Sequence, residues 1–424
     1  MFARFAAGPA MLLLAACFSH APEASIEAEL EFVGSSLAEG RIEQAAEVVA
    51  RCRARDPRHV DAAQWSALLA DLLWHDDEAI QEQTLALRHA RAAGADKAPL
   101  AALRGRLGDL LFQAGRWSEC VGPLLAGAGA ADAERRTAFA TIALGLPFQR
   151  KPAGPLLTEQ PLLPGDSPEI VCGAGGLRRP FTIDTGTSMT TVSRSFAEEL
   201  GVRGRQAAGK ALDAAGRPLQ VEIGTLPQFA MGDVDLGPTP VLVVEDQALR
   251  LRDLYGGPER VPRGVLGLDL VAACRLTLDP ERQSVVLELP RGLPADQSVQ
   301  CVRLEGRCLV PVFVEGGRMW FVLDTGASHS SFTAVGLQAL PGGDGRAVPS
   351  FRRVRTVGGS VVAVREVRDL VLRCSEARFR GVTLPVVQRA SSALFPVHGV
   401  LGVDLLSHCR VTIDRGRARL IALP

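Results

Sequence analysis

The chain has 424 residues, of which 47% are hydrophobic and 22% are charged, so it is long enough for two or three globular domains with apolar cores. Lys plus Arg and Asp plus Glu both number 47, and the formal net charge is zero. Nucleic-acid binding needs a surface rich in basic residues, and we find no long run of one sign. The composition argues against disorder and against nucleic acid as a partner.

Residues 1–16 are predicted to be a secretion signal. Arg4 is followed by a largely apolar stretch that is too short to span a bilayer. This stretch ends in Leu14-Ala15-Ala16-Cys17 and resembles the lipobox of bacterial lipoproteins, in which the residue after the cleavage site is a lipidated Cys. We therefore expect Cys17 to anchor an exported protein at the bacterial cell envelope, at the outer membrane facing the periplasm, with the lipid as its only membrane contact. A buried helix is the alternative.

Residues 17–145 are predicted to form a helical domain, because they are rich in Ala, Leu, Glu and Arg and carry apolar residues at helical spacing. The segment Gly40-Arg41-Ile42-Glu43-Gln44-Ala45 has a counterpart 75 residues later, Gly115-Arg116-Trp117-Ser118-Glu119-Cys120. That distance is about two repeats of a helix–turn–helix solenoid. The domain resembles a tetratricopeptide-type array, and such arrays bind a protein partner or pack within their own chain.

Residues 146–168 are predicted to be a linker, because six prolines in this region disfavour a helix or a central strand. Beyond the linker the sequence changes to short β-type runs separated by Gly and Pro: Leu219–Ile223, Val241–Val244, Ser284–Leu289, Leu309–Val314, Val361–Val364 and Leu384–Val387. Two short helices are predicted at Arg194–Leu200 and Ala334–Leu340. We therefore expect two mainly β lobes, residues 169–289 and 298–424.

Three sequence motifs occur twice in this second part, in the same order. Asp184-Thr185-Gly186 and Asp324-Thr325-Gly326 each follow an apolar run and are 140 residues apart. The two later pairs are each 135 residues apart: Gly-Val-Leu-Gly-apolar-Asp-Leu at 264–270 and 399–405, and Cys-Arg-apolar-Thr-apolar-Asp at 274–279 and 409–414. An internal duplication explains this order and spacing. The chain carries two copies of one domain.

The doubled aspartate suggests a specific chemistry. Peptide hydrolysis without a metal or a covalent nucleophile needs one group that takes a proton from water and one that gives a proton to the carbonyl oxygen. Two carboxyls that share one proton supply both, because like charges a few ångströms apart cannot both ionise cheaply. Such a pair titrates as a unit. Asp184 and Asp324, each at the end of an apolar strand, are the candidates.

From about residue 165 to 424, these motifs resemble the aspartic peptidases of the pepsin and retroviral type. The resemblance implies two acid-protease β-barrel lobes after the helical repeat-like domain. It also implies that Asp184 and Asp324 are the catalytic dyad, one from each lobe of a single chain. The substrate would be an extended peptide or protein in the cleft between the lobes, and no cofactor is expected.

The same resemblance implies roles for neighbouring residues. Thr185 and Thr325 would brace the two active loops, and Gly186 and Gly326 would offer backbone donors. Thr187 could donate to the outer oxygen of Asp184, whereas Ala327 has no hydroxyl, so the two carboxyls would differ in environment. Which aspartate is acid and which is base stays open. The apolar-Gly segment under the loops contains Leu266, Gly267, Leu401 and Gly402, and the candidates for flap hairpins are the tips at Gly216, Gly358 and Gly359.

Other residues near these motifs have simpler interpretations. Asp269 and Asp404 are expected to cap short helices, and Asp279 and Asp414 to make turns. His329 is interpreted as a solvated or hydrogen-bonded loop residue, because the first copy has Met189 in its place.

The cysteines and histidines give no recognisable metal-site motif. Cys17 apart, eight Cys residues permit disulfides without fixing their pairing. Cys301 and Cys308 could clip a hairpin, whereas Cys274 and Cys409 are expected to be buried thiols.

The sequence thus predicts an aspartic endopeptidase that activates water between two carboxyls. Three alternatives stay open. Each lobe could pair with its twin in a second molecule. The cleft, or the helical domain as a scaffold, could bind peptides or proteins without hydrolysis. Lastly, the helical domain could be the functional part by itself.

Overall fold

The computed structural model describes residues 24–127, 129, 132–147, 157–165, 167–212, 218–249, 263–271, 273–350, 353–356, 359–388 and 392–423. The predicted signal segment and Cys17 lie outside this part of the chain, as do the candidate flap residues Gly216 and Gly358. Within the described residues, no helix is both long enough and apolar enough to cross a membrane.

The N-terminal part is helical, as the sequence predicts. Its described residues form α1 (Ile26–Ala38), α2 (Ile42–Arg55), α3 (Val60–Leu72), α4 (Asp76–Ala92), α5 (Lys97–Gln113), α6 (Trp117–Ala126) and α7 (Ala133–Leu144). The repeated Gly-Arg segment has a structural basis: Gly40 and Gly115 adopt left-handed φ angles of 75° and 71° just before α2 and α6. Glycine tolerates this conformation, which ends one helix and turns the chain into the next.

The first lobe follows. Its elements are β1 (Leu157–Pro161), β2 (Glu169–Ala174), β3 (Leu177–Ile183), β4 (Thr191–Ser193), α8 (Arg194–Glu199), β5 (Arg203–Leu212), β6 (Pro218–Met231), β7 (Val234–Val244), a 3-10 turn (Asp246–Leu249), β8 (Gly264–Leu266), α9 (Leu268–Val271), β9 (Arg275–Asp279) and β10 (Ser284–Glu288). Seven strands form one sheet in the order β2-β3-β8-β4-β7-β6-β5. β3 and β8 are parallel, and Ile183 is level with Leu266.

The second lobe repeats this plan. Its elements are β11 (Val299–Gln300), β12 (Val302–Leu304), β13 (Arg307–Val314), β14 (Gly317–Leu323), β15 (Ser331–Phe332), α10 (Ala334–Ala339), α11 (Gly343–Arg346), β16 (Val348–Pro349), β17 (Arg353–Thr356), β18 (Gly359–Val362), β19 (Arg365–Cys374), β20 (Ala377–Val386), β21 (Gly399–Leu401), α12 (Val403–Leu406), β22 (Cys409–Asp414) and β23 (Arg417–Ala422). β14 and β21 are parallel, and Leu323 is level with Leu401.

The predicted fold class, a helical domain followed by two β-barrel lobes, is confirmed. All six predicted β runs fall on strands, and both predicted short helices form, with ends that differ by one or two residues. The candidate flaps lie on hairpins. Leu212 pairs with Pro218 in the first lobe, and Thr356 pairs with Gly359 in the second lobe.

A six-stranded sheet joins the lobes, in the order β1-β10-β9-β22-β23-β11. The third duplicated motif forms its two central strands, where β9 and β22 pair and the hydroxyls of Thr277 and Thr412 lie 3.1 Å apart. Part of the predicted linker belongs to this sheet, because β1 pairs with β10 at the edge. An edge position tolerates Pro161 at the strand end, which the proline-based prediction of a linker did not anticipate.

The helical domain packs on both lobes. Residues of α1, α2 and α3 share one apolar cluster with β12, β13, β14 and β21 of the second lobe. Residues of α4, α5, α6 and α7 share another with β6, β8 and other parts of the first lobe. At the first contact the indole of Trp320, 2% exposed, donates to Gly40 O at 3.1 Å. The helical domain therefore packs against both lobes.

All eight cysteines in the described part of the chain are buried thiols outside any disulfide, as expected for Cys274 and Cys409. The suggested clip between Cys301 and Cys308 is not formed. The two residues are not directly opposite in the hairpin, because Cys308 lies opposite Arg303. Their thiols are nonetheless in contact, since burial and then a hydrogen bond with Cys308 raise the pKa of Cys301.

Candidate active site

The two Asp-Thr-Gly tripeptides lie at equivalent strand ends. Asp184 follows β3, and its N–H donates to Leu266 O at 3.0 Å. Asp324 follows β14, and its N–H donates to Leu401 O at the same distance. The apolar-Gly segments therefore support the loops from the adjacent parallel strand, where the sequence motifs put them.

Glycine is required at the second position of these supporting segments. A Cβ atom on Gly267 would lie 2.4 Å from the backbone carbon of Met189, and one on Gly402 would lie 2.6 Å from that of His329. Real Cβ atoms do not approach backbone this closely, so any side chain would displace the loop that carries the aspartate. The duplicated glycines thus allow each loop to lie directly on its neighbouring strand.

Reciprocal hydrogen bonds of Thr185 and Thr325 join the loops of the two lobes. Thr185 Oγ1 donates to Leu323 O at 2.6 Å, and Thr325 Oγ1 donates to Ile183 O at 2.7 Å. Each hydroxyl also accepts from the other threonine's N–H, at 3.1 and 3.2 Å. All four hydrogen bonds are buried, and all four lie within a single chain. The lobes therefore pair within the chain, and the alternative of pairing with a second molecule is not needed.

The carboxyls of Asp184 and Asp324 meet across this junction. A Cβ atom on Gly186 would lie 2.5 Å from the carboxyl carbon of Asp324, and one on Gly326 would lie 2.3 Å from that of Asp184. Each aspartate Oδ1 accepts from the glycine of its own tripeptide, at 2.9 and 3.0 Å. Asp184 is 3% exposed and Asp324 is 8% exposed. Two acidic side chains thus lie together at a site that is almost completely buried from solvent.

The two carboxyls differ in their remaining donors. Thr187 Oγ1 donates to Asp184 Oδ2 at 2.9 Å. Ala327 offers only its N–H, which reaches Asp324 Oδ1 at 2.9 Å. Ala327 is fully buried in the apolar cluster that the second lobe shares with α1, α2 and α3, where a hydroxyl would be desolvated. The asymmetry expected from the sequence is therefore present.

Burial, reinforced by the neighbouring Asp324, raises the pKa of Asp184 from 3.8 to about 7. Hydrogen bonds from Thr187 and from the N–H of Gly186 oppose the rise. A carboxyl in a dry site beside a second carboxyl keeps its proton to neutral pH, because the alternative places two negative charges together. This is the arrangement that a shared-proton acid–base pair requires.

Asp269 and Asp404 do not mainly cap helices, and that prediction is corrected. Asp269 Oδ1 accepts from the N–H and the hydroxyl of Thr190 at 2.8 and 2.9 Å. Asp404 Oδ1 accepts from the same two groups of Ser330, both at 2.7 Å, and also from the N–H of Leu405 in its own helix. Both carboxylates therefore bind the loops that carry the Asp-Thr-Gly tripeptides.

Sequence reasoning missed Thr190 and Ser330. Thr190 Oγ1 accepts from Gly267 N at 3.1 Å, and Ser330 Oγ accepts from Gly402 N at 2.9 Å. Each hydroxyl therefore links an active loop to its supporting segment. The sequence contained a signal for them, because each follows the aspartate of its Asp-Thr-Gly tripeptide by six residues.

Two further expectations concern residues around these loops. His329 is hydrogen-bonded as expected, with Nδ1 2.8 Å from Ser328 Oγ. Asp279 and Asp414 end β9 and β22 as expected. Asp279 also binds Arg410 Nε at 2.7 Å, so it links the two halves of the shared sheet.

Comparisons with known proteins agree with this geometry. Residues 171–270 and 310–405 each match the family model described as aspartyl protease. No curated protein matches the chain. The two duplicated halves are therefore each similar to the aspartyl protease family.

Several solved structures are similar at low identity. A retropepsin-like aspartic protease from Rickettsia conorii is 18% identical, with a TM-score of 0.24, over 33% of this chain and 96% of that one. An aspartic proteinase from Irpex lacteus is 10% identical, with a TM-score of 0.37, over 63% and 97%. The N-terminal domain of stress-induced protein-1 from C. elegans is 18% identical, with a TM-score of 0.23, over 24% and 80%.

Proposed function

We propose that this protein is an aspartic endopeptidase that hydrolyses peptide bonds with a water molecule activated between Asp184 and Asp324. The observation that carries the proposal is the junction of the lobes. There, reciprocal threonine hydrogen bonds hold the loops together, and one buried carboxyl from each lobe interacts with the other. The match of both halves to the aspartyl protease family supports it.

In the proposed reaction the dyad holds one proton. Because burial and the neighbouring carboxyl raise the pKa of Asp184, we propose that Asp184 carries the shared proton before the reaction. Asp324 takes a proton from water as the water oxygen attacks the peptide carbonyl, and Asp184 gives its proton to the carbonyl oxygen. Collapse of the tetrahedral intermediate then transfers a proton to the leaving amine. The dry site strengthens each of these electrostatic interactions.

The substrate in this proposal is an extended peptide segment in the cleft between the lobes. Extended peptides bind by backbone hydrogen bonds to strands, and alternate side chains occupy pockets. The hairpins β5–β6 and β17–β18 come from different lobes and follow Asp184 and Asp324, respectively, at similar distances along the chain. We propose that these hairpins, with Gly216, Gly358 and Gly359 at their tips, close over the peptide.

Export and lipid anchoring through Cys17 remain part of the proposal. The test is expression of the full chain in a bacterial host supplied with a tagged fatty acid. The wild-type protein should carry the tag and sediment with membranes, and Cys17→Ser should lose the tag. A wild-type protein without the tag would disprove the anchor while leaving the peptidase proposal untouched.

The peptidase proposal is tested with a diverse peptide mixture. Purified protein is incubated with it from pH 4 to pH 8, and products are identified by mass spectrometry. We expect endoproteolytic cleavage by the wild type and at least a ~10³-fold loss in Asp184→Asn and in Asp324→Asn, because each removes a group that transfers a proton.

A matched control is Asp344→Asn, which neutralises a carboxylate whose side chain is 75% exposed, outside the dyad. It should keep full activity. Cleavage that survives both dyad substitutions would mean a contaminating protease. Peptide binding without cleavage by the folded wild type would favour the non-catalytic binder.

A further inference from the structure

Besides the threonine hydrogen bonds, a hairpin turn of the second lobe contacts the loop that follows Asp184. β12 and β13 form a hairpin whose two-residue turn is Glu305-Gly306, with φ angles of 52° and 72°. The turn packs on Ser188, so that a Cβ atom on Gly306 would lie 2.4 Å from Ser188 Cβ. Ser188 follows Thr187, the residue that donates to Asp184. The turn therefore supports the loop that carries the hydroxyl donor.

The helical domain holds this hairpin through Arg303. Arg303 lies on β12 and is 7% exposed, and its Nη2 donates to Asp71 Oδ1 at 2.7 Å and to Asp76 Oδ1. Its guanidinium also lies over the ring of Trp74, 5.0 Å from the centroid. Buried charge pairs with several partners fix one geometry, because any displacement leaves a charge unpaired.

The same carboxylate connects two parts of the helical domain. Asp71, near the end of α3, also accepts from Arg106 and from Gln113 Nε2, the latter at 3.0 Å. Both donors lie on α5, whose apolar residues belong to the cluster that covers the first lobe. Arg303 is therefore anchored to helices that contact both lobes.

We propose that Arg303 and the Glu305-Gly306 turn are positioning residues for Asp184, through which the helical domain keeps Thr187 in place as the donor to Asp184 Oδ2. This inference rests on the proposed peptidase function for its catalytic consequence. Its structural content does not depend on cleavage. A donor to a carboxylate favours the ionised form, so loss of the Thr187 contact raises the pKa of Asp184.

The chain offers a matched pair of glycines for the test. Gly306 and Gly316 are both second residues of two-residue hairpin turns in the second lobe, with φ angles of 72° and 87°. A Cβ atom on Gly316 would meet nothing within 4 Å. Ala at either position has the same backbone strain, and only Gly306→Ala also displaces Ser188. Gly306→Asn is the second variant. Asn adopts positive φ more readily than Ala, so it has less backbone strain, but its Cβ atom still displaces Ser188.

The first measurement is the titration of the Asp184 carboxyl. NMR of protein labelled with isotope-enriched aspartate records it, and the Asp184 signal is assigned as the one that Asp184→Asn removes. Among the described groups, Asp324 is the ionisable side chain that acts on Asp184, so both signals are followed together. We expect the Asp184 titration to move to higher pH in Gly306→Ala, Gly306→Asn and Arg303→Met. Gly316→Ala should titrate like the wild type. An equal shift in Gly316→Ala, or no shift in the Gly306 variants, would overturn the inference.

A double-mutant cycle tests the route through Thr187. Thr187→Ala alone should give the same upward shift, and adding Gly306→Ala should add little, because both remove one hydrogen bond. Additive shifts would exclude Thr187 as the link. In the active enzyme, the pH at which kcat falls on the alkaline side should shift in the same variants as the Asp184 titration. We also expect kcat to be about tenfold lower in Gly306→Ala. A wild type that cleaves no peptide disproves the proposed function, and the titrations still decide the positioning role.

Discussion

The two carboxyls of the candidate site come from identical tripeptides but have different surroundings. Asp184 has a hydroxyl donor from Thr187, and Asp324 has a second backbone donor from Ala327. The tripeptide fixes what is common to both, the strand end and the glycine N–H. The residue after each tripeptide, Thr187 or Ala327, determines how the donors to the two carboxyls differ. A doubled motif therefore gives two carboxyls that differ in their hydrogen-bond donors.

The raised pKa of Asp184 has a consequence for stability. The folded protein keeps the proton up to about pH 7, whereas the unfolded chain loses it near 3.8. The free energy of unfolding that Asp184 contributes is therefore fully present below pH 3.8 and is lost as pH rises through about 7.

Asp184→Asn removes this loss, because an amide does not ionise. We expect the variant to be more stable than the wild type at pH 8 by a few kcal/mol, and by much less at pH 4. Urea unfolding at both pH values measures the difference. A gap that does not widen between the two pH values would contradict the shared-proton site. Asp344→Asn should show no such pH dependence.

Gly402 provides a second residue-scale prediction. Gly402→Ala places Cβ 2.6 Å from the backbone of His329, directly under the Asp324 loop. We expect a loss of roughly 2–4 kcal/mol in unfolding free energy and of at least about tenfold in kcat. Gly317→Ala is the control, because its Cβ would make an ordinary 3.5 Å contact in the same lobe. Equal effects of the two substitutions would show that close packing under the loop is unimportant.

At the scale of elements, α7 packs on the hairpin that is the first lobe's flap candidate. Ile142 of α7 and Ala208 of β5 are both 3% exposed and belong to one apolar cluster. Ile142 Cδ1 would lie 3.7 Å from a Cβ atom on Gly204, also in β5. A helix that covers the base of a hairpin restricts how far the hairpin can move. The helical domain thus reaches the strands proposed to cover the substrate.

Ile142→Ala tests this restraint. Removing a buried Ile side chain costs about 2–5 kcal/mol, and here the loss falls on the contact between α7 and β5. We expect faster amide hydrogen exchange in β5 and β6 and unchanged exchange in β19 and β20 of the second lobe. Val33→Ala, a fully buried change in the cluster that α1 shares with the second lobe, is the matched control. Equal exchange in β5 for both variants would refute the restraint.

At the scale of the molecule, the helical domain and the lobes form one folding unit. Two apolar clusters and the buried Arg303 network cross their boundary. A chain starting near Gly165 would expose both of these apolar surfaces, so we do not expect it to retain folded lobes. Such a chain would also lack β1 of the shared sheet.

We expect a chain of residues 157–424 to aggregate on expression, because both helix-facing apolar surfaces become exposed to water. A chain of residues 24–424 should remain soluble and monomeric. Size-exclusion chromatography and circular dichroism of the two chains compare them directly. A soluble, folded product from the shorter chain would show that the lobes are independent of the helices.

The sequence determined the parts of this protein that are set locally. The duplicated tripeptides, the apolar-Gly segments and the alternation of β runs with Gly and Pro predicted two lobes and their candidate dyad, and they left open whether the lobes pair within one chain. Each of these signals lies in a few consecutive residues, and the duplication repeats it. Local chemistry and spacing were therefore enough for the fold class and for the candidate catalytic residues.

Only the tertiary structure decided how these parts meet. Arg303 binds Asp71, 232 residues earlier, and Gly306 packs on Ser188 of the other lobe. Neither contact has a periodic or motif signature, because a single charged or small residue looks the same in sequence whether it is exposed or buried at an interface. The packing of the helical domain against both lobes also appears only in the tertiary structure, because it depends on the whole chain being folded.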